Sequence, residues 1–205
     1  MKRSFVLLTL LALGLCLLAG CTPEEESSDS SPSELLLAKP VIYLYPEVET
    51  EVTVTVDCDG ALTCTYPAYE DGWTVTAAPD GTLTDTSGQL YSYLYWEGTS
   101  QGEFSFSEGF CVRGSDTGVF LEEALSALGL TRREANEFIV YWLPQMESNA
   151  YNLISFQGSA YTEQVRLTIS PEPDGVVRVF MAWKALDSPV DIPPQQLPAF
   201  TRTGF

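Results

Sequence analysis

The chain has 205 residues, with 28 acidic side chains against 10 basic ones, a formal net charge of −18, and no histidine at all. Nucleic acid is a poor partner for such a surface, because holding a polyphosphate rests on clustered Lys and Arg, and past the N-terminus the only adjacent basic pair is Arg132-Arg133. The missing histidine excludes Ser-His-Asp triads, Cys-His pairs and His-ligated zinc, so any chemistry must run on carboxylates, Tyr, Lys or Cys, and no cofactor is indicated.

The chain opens with Lys2 and Arg3, an apolar run from Phe5 to Leu18, and then Leu18-Ala19-Gly20-Cys21. A basic start, a short apolar stretch and small residues before a cut are the parts of an export signal, here residues 1–20. A membrane-spanning helix needs about 20 apolar residues, whereas this run stops at Gly20 and gives way to Thr22-Pro23-Glu24-Glu25-Glu26. The N-terminus resembles that of bacterial lipoproteins, which implies a diacylglyceryl-modified Cys21 and anchoring on the extracytoplasmic face of a cell membrane. Lipid is then the first partner, since two acyl chains hold where one is marginal.

Residues 21–38 read as the lipidated cysteine and an acidic tether. The stretch from Thr22 to Glu34 has no aromatic residue and too little apolar surface to offset the entropy of ordering. As random coil it holds the following domain some tens of ångströms from the bilayer, at about 5–6 Å times the square root of its length.

Residues 39–205 are long enough for one domain with its own core. Val41 to Tyr45, bounded by Pro40 and Pro46, is apolar on both faces and predicts a central strand. Glu51 to Cys58 alternates, with Val52, Val54 and Val56 on one face, and predicts a half-buried strand. Further predicted strands are Leu62 to Tyr66, Trp73 to Ala77, Tyr91 to Trp96 and Phe110 to Arg113, with Asp-Gly pairs at 59–60, 71–72 and 80–81 as hairpin signals.

The period changes after Ser115. Leu121, Ala124, Leu125 and Leu128 mark one helix face, with caps among Ser115 to Thr117 and Gly129 as the stop. Thr131 and Glu134 form a capping box for a second helix, with Ala135, Phe138, Ile139 and Trp142 on its core face and Pro144 as its expected end. Strands are predicted again at Tyr151 to Phe156, Gln164 to Ile169 and Val176 to Trp183, before an extended Pro-rich tail from Pro189. The order implies an α+β fold, a mainly antiparallel sheet or sandwich-like domain with an inserted two-helix hairpin.

The segment Lys39-Pro40-Val41-Ile42-Tyr43-Leu44-Tyr45-Pro46 resembles the KPVIYLYP mark of an uncharacterised family of bacterial cell-surface lipoproteins. Gly72 to Thr76, Tyr93 to Gly98, Asn136 to Glu147 and Arg178 to Trp183 look like the same family. The resemblance implies a single envelope-facing domain behind a lipidation signal and carries no assigned activity.

Candidate site residues have two readings each. Tyr91, Tyr93 and Tyr95 alternate along one strand and offer a row of rings for stacking a sugar, or half-bury against a neighbour as ordinary strand residues. Glu97 and Glu137 are the pair that hydrolysis of a polysaccharide would need, provided they stand about 5–9.5 Å apart across a cleft. Glu137 is also placed as an i, i+4 partner of Arg133. Glu147, Asn149 and Asn152 follow Pro144 and are ligand-binding candidates beside Tyr141 and Glu134. Asp57-Cys58-Asp59-Gly60 lacks the oxygen ligands of a calcium loop and reads as a turn, so no metal site is expected. Cys58 and Cys64 flank it, and a disulfide between them stays open: an odd loop length puts both thiols on one face, a two-residue turn puts them on opposite faces. The functional expectation is a membrane-anchored envelope protein with a non-catalytic binding domain for a glycan or surface protein. A carboxylate-dependent hydrolase and an envelope scaffolding subunit are the alternatives.

Overall fold

In the computed structural model residues 35–198 are described. The export signal, Cys21, the tether as far as Glu34 and the last residues of the tail lie outside them. The fold is α+β and sandwich-like, with three mainly antiparallel sheets and few helices.

The first sheet is built on one long strand. β1 (Leu35–Leu37) and β2 (Val41–Ile42) precede β3 (Thr50–Cys58), β4 (Leu62–Tyr66), β5 (Trp73–Ala77), β6 (Leu83–Asp85), β7 (Leu90–Tyr91) and β8 (Leu94–Ser100). β1 pairs with Gly98–Ser100 and β2 with Leu94–Tyr95, successive stretches of β8, while β4 pairs with it from Tyr95 to Gly98. The globular domain therefore starts before Lys39, and Leu37 is buried in its core.

The segment from Val41 to Tyr45 is not the central strand its composition predicts. Only two of its residues pair, since Pro40 and Pro46 have no N–H for a ladder, although the Pro40 carbonyl accepts the Trp96 N–H at 3.2 Å. Its side chains split by alternation: Ile42 and Leu44 are buried in the sheet core, and Tyr43 and Tyr45 lie on the opposite side.

The second sheet runs β11-β3-β5-β6-β7, with β11 at Val165–Ser170. Val52, Val54 and Val56 are buried as their alternation predicts, and they pack with Trp73, Val75, Leu94 and Trp96 in one core. β3 and β4 do not form a hairpin. They belong to different sheets, and the turn at Asp59-Gly60 passes so close to β8 that a Cβ on Gly60 would lie 2.2 Å from the Thr99 carbonyl oxygen. Asp80-Gly81 does close a hairpin: Ala78 and Thr82 are bonded across it, and Gly81 takes φ +87°.

The third sheet, β12-β10-β9, contains β9 (Phe110–Arg113), β10 (Tyr151–Phe156) and β12 (Met181–Leu186). Between β9 and β10 the chain inserts a short 3-10 turn and two helices, α1 (Thr117–Ala127) and α2 (Arg132–Met146). Leu121, Leu125, Ala135, Ile139 and Met146 bury against Ile154, Phe156 and Met181, a second core. The capping box is present in full, with Thr131 accepting from the Glu134 N–H and Glu134 accepting from the Thr131 N–H. Pro144 does not end α2, which continues to Met146. Proline removes its own bond to the Val140 carbonyl and crowds that group, and it does so one turn from the end of α2 on an exposed side of the helix, where Val140 is 74% exposed.

A third helix, α3 (Ser159–Gln164), was not legible in the pattern, and the last strand starts at Met181 instead of Val176. Among the described residues no helix is long and apolar enough to cross a membrane.

Candidate functional site

The unpaired side of the segment 39–46 faces the first half of α2, and the contact is made by tyrosines. The Tyr43 hydroxyl donates to Glu137 Oε2 at 2.8 Å, and the Tyr45 hydroxyl to Glu134 Oε1 at 2.9 Å. The two rings lie nearly parallel at 6.3 Å, and Tyr43 meets the Tyr93 ring edge-on at 5.5 Å. Burial first, and then the bond to Glu137 and that carboxylate's charge, hold the Tyr43 phenol well above its ordinary range. Tyr45 needs its neighbour to be small, since a Cβ on Gly81 would stand 2.6 Å from its ring.

Beside this contact Lys39 occupies a ring of tyrosines. Its ammonium lies 5.4 Å from the Tyr93 centroid, 5.5 Å from Tyr95 and 5.6 Å from Tyr141 of α2, a cation–π arrangement worth about 0.5–2 kcal/mol according to how far it is desolvated. The Lys39 backbone takes φ +61°, a left-handed conformation that costs a side-chain-bearing residue about 1–2 kcal/mol. Its N–H reaches Glu97 Oε1 at 3.4 Å. Burial and then hydrogen bonding to Glu97 raise the Tyr95 phenol, and burial and the charge of Glu97 raise Tyr141.

Tyr93, Tyr95, Glu97, Glu137 and Tyr141 are thus brought to one surface, together with Tyr43, Tyr45 and Lys39, whose part in it the composition of their segment does not announce. The signal available for Tyr43 and Tyr45 was their alternation with Ile42 and Leu44. Tyr91 stands apart from the other two tyrosines because the strand expected from Tyr91 to Trp96 breaks at Ser92-Tyr93. Its hydroxyl donates to Asp85 Oδ2 at 3.1 Å, and its ring meets Tyr66 edge-on at 5.5 Å.

The remaining candidates lie elsewhere. Glu147 caps the far end of α2, about 20 Å from Glu134 at 1.5 Å per residue. Asn152 is fully buried and donates to Thr117 Oγ1 and the Met146 carbonyl while accepting from Asn149 Nδ2, which leaves it a structural link between α2 and β10. Cys58 and Cys64 are not bonded. Cys58 pairs with Val165 on one sheet and Cys64 with Glu97 on another, and Cys111 is free as well. Asp59 Oδ1 is taken by the Ser100 hydroxyl at 2.7 Å, and among the described residues no group of three or more Cys, Asp or Glu converges as metal ligands would.

A cavity of about 520 Å³ is lined by the segment 39–48, Tyr43 and Tyr45 included, the start of α2, β11 and residues 171–179. Its size falls in the range of small-molecule sites, roughly 300–1,000 Å³. Buried Val52, Trp96 and Tyr161 form part of its wall, Glu134 and Glu137 join it to the tyrosine surface, and the exposed Glu47, Glu172 and Asp174 stand at its edge. Arg178 also lines it. Its Nη1 donates to the Val165 carbonyl at 2.9 Å, its guanidinium carbon lies 4.6 Å from the Tyr161 centroid, and its Nη2 is buried with no hydrogen-bond partner. The sequence sign of this arginine was a lone charge inside Val176-Val177-Arg178-Val179-Phe180.

No protein-family model, curated protein or solved structure matches the chain, so the site rests on its own geometry.

Proposed function

We propose that the chain is a lipid-anchored envelope protein whose domain binds an extracytoplasmic ligand without turning it over. The observation that carries the binding reading is the cavity of about 520 Å³ adjoining the tyrosine surface, lined by apolar side chains such as Val52, Trp96 and Ile169 together with the charged Glu134, Glu137 and Arg178. The lipidation signal ending at Cys21 and the acidic tether support presentation at a membrane. Binding is favoured over hydrolysis because the carboxylates at the surface are already engaged: Glu134 by Tyr45 and Thr131, Glu137 by Tyr43, and Glu97 by the Lys39 N–H.

The hydrolase keeps one observation in its favour, since Glu97 and Glu137 adjoin the same tyrosine cluster. One experiment separates the two. The full chain, solubilised in detergent, is passed over isolated cell-wall and polysaccharide fractions while retention and released sugar are measured together. Retention without release supports a binding domain; release that disappears in Glu97→Gln or Glu137→Gln replaces it with the hydrolase; loss of both moves the ligand to a protein. Anchoring is tested apart from binding by Cys21→Ala, which is expected to shift the protein from the membrane fraction to the medium.

A further inference from the structure

We propose that the cavity beside residues 171–179 takes a small ligand by its carboxylate, with Arg178 as the group that receives it, and that the ligand class is an amino acid or short peptide with an apolar body. This rests on the reading of the domain as a binding domain and adds the chemistry of what is bound.

Arg178 Nη2 is the one buried side-chain nitrogen or oxygen among the described residues with no partner. Buried donors are almost always satisfied, so an atom without a partner asks for an explanation such as a ligand. The rest of the guanidinium is held in place. Nη1 is bonded to the Val165 carbonyl, one face lies over Tyr161, and Tyr161 is itself stacked on Phe180 at 4.3 Å and 20°. A planar fork fixed in this way is suited to a carboxylate.

Among the described residues no carboxylate supplies the counter-charge. Although acidic residues outnumber basic ones by 28 to 10, the ion pairs among the described residues are Arg132–Glu122 and Arg133–Glu137, and neither involves Arg178. The surroundings then select among anions. Val52, Trp96, Leu167 and Ile169 suit an apolar body, while Glu47, Glu172 and Asp174 at the edge repel a polyanion and attract an ammonium. A carboxylate inside with an ammonium at the rim describes an amino acid or a short peptide.

The test uses the full chain in detergent, with calorimetric titration of the dipeptide leucyl-leucine, the same dipeptide as its C-terminal amide, and inorganic phosphate. Saturable binding of the acid is expected, with the amide at least about tenfold weaker, the minimum expected from losing one charge-assisted hydrogen bond pair, and with phosphate weaker still. Arg178→Met should lose the acid's binding, and because it also removes the bond to the Val165 carbonyl and the contact with Tyr161, its folding is checked by thermal unfolding and binding is measured well below its melting temperature. Equal binding of acid and amide, tighter binding of phosphate, unchanged binding in Arg178→Met, or no saturable binding of the acid would each overturn the proposal, and the comparison of acid with amide needs no variant. If the acid fails but the chain is still retained on envelope fractions, the carboxylate assignment falls and the binding domain stands; if retention fails too, both fall.

Discussion

Tyr43 and Glu137, 94 residues apart in the chain, are joined by a 2.8 Å hydrogen bond that ties the segment after Pro40 to the second helix. The bond sits between the tyrosine surface and the cavity, so both depend on it for position.

Tyr43→Phe is expected to cost about 1 kcal/mol at neutral pH, the net value of a partly buried hydrogen bond to a charged acceptor after allowance for solvent. Its pH dependence has a definite sign. The folded state holds the Tyr43 proton more tightly than the unfolded chain, whose phenol has the ordinary value of 10.0. This contribution is complete below that pH and is lost as pH rises above it. Urea denaturation of parent and variant should therefore show a stability gap that narrows on the alkaline side; a gap that widens there would contradict the placement of this phenol.

Asp85 gives the opposite case. Its carboxylate accepts from the Ser87 hydroxyl at 2.7 Å, and from the N–H groups of Ser87 at 2.8 Å and Gln89 at 2.9 Å. Those bonds, the Ser87 hydroxyl foremost, draw its pKa from 3.8 down to about 2. Because the folded value is the lower one, the contribution is present above the unfolded pKa and disappears as pH falls through that window. Asp85→Asn should differ from the parent at neutral pH and converge with it in acid, in thermal unfolding followed by circular dichroism. Parallel curves across the window would refute this.

How far the sequence carried depended on the range of the interaction. The capping box of the second helix was legible because Thr131 and Glu134 are three residues apart and their chemistry is local. The valines of β3 were legible because alternation specifies a face without naming the partner. The hairpin expected at Asp59-Gly60 failed because Gly60 is set by its approach to Thr99 on β8, a neighbour that local turn chemistry does not contain. Arg178 shows the same limit at the candidate site. A charge in an apolar run is visible, but whether it has a counter-charge depends on what folds around it.

The thiols follow from that corrected topology. With Cys58 and Cys64 on different sheets and no bond between them, a non-reduced digest is expected to give separate Cys58 and Cys64 peptides. Alkylation of the folded chain should reach the exposed Cys64 first and the partly buried Cys58 and Cys111 later. A peptide mass joining residues 58 and 64 would show a pairing that this fold does not make.

Asn152 and Glu137 should part company when both are substituted, because both were candidates and only one adjoins the site. Asn152→Ala removes a fully buried amide that donates to Thr117 Oγ1 at 3.0 Å and to the Met146 carbonyl at 2.9 Å and accepts from Asn149 Nδ2 at 2.8 Å. Losing two buried bonds and leaving a polar gap is expected to cost about 2–4 kcal/mol. Its effect on ligand retention, measured well below the melting temperature, should be small. Glu137→Gln keeps an acceptor for Tyr43 on a partly exposed side chain, so its stability should change by less than about 1 kcal/mol. What changes there is the charge beside the cavity, and with it the affinity for any ligand that places a cation at the rim. Denaturation and retention measured on both variants decide the matter: an Asn152→Ala protein that folds as firmly as the parent but loses its ligand would move the site to the far end of α2.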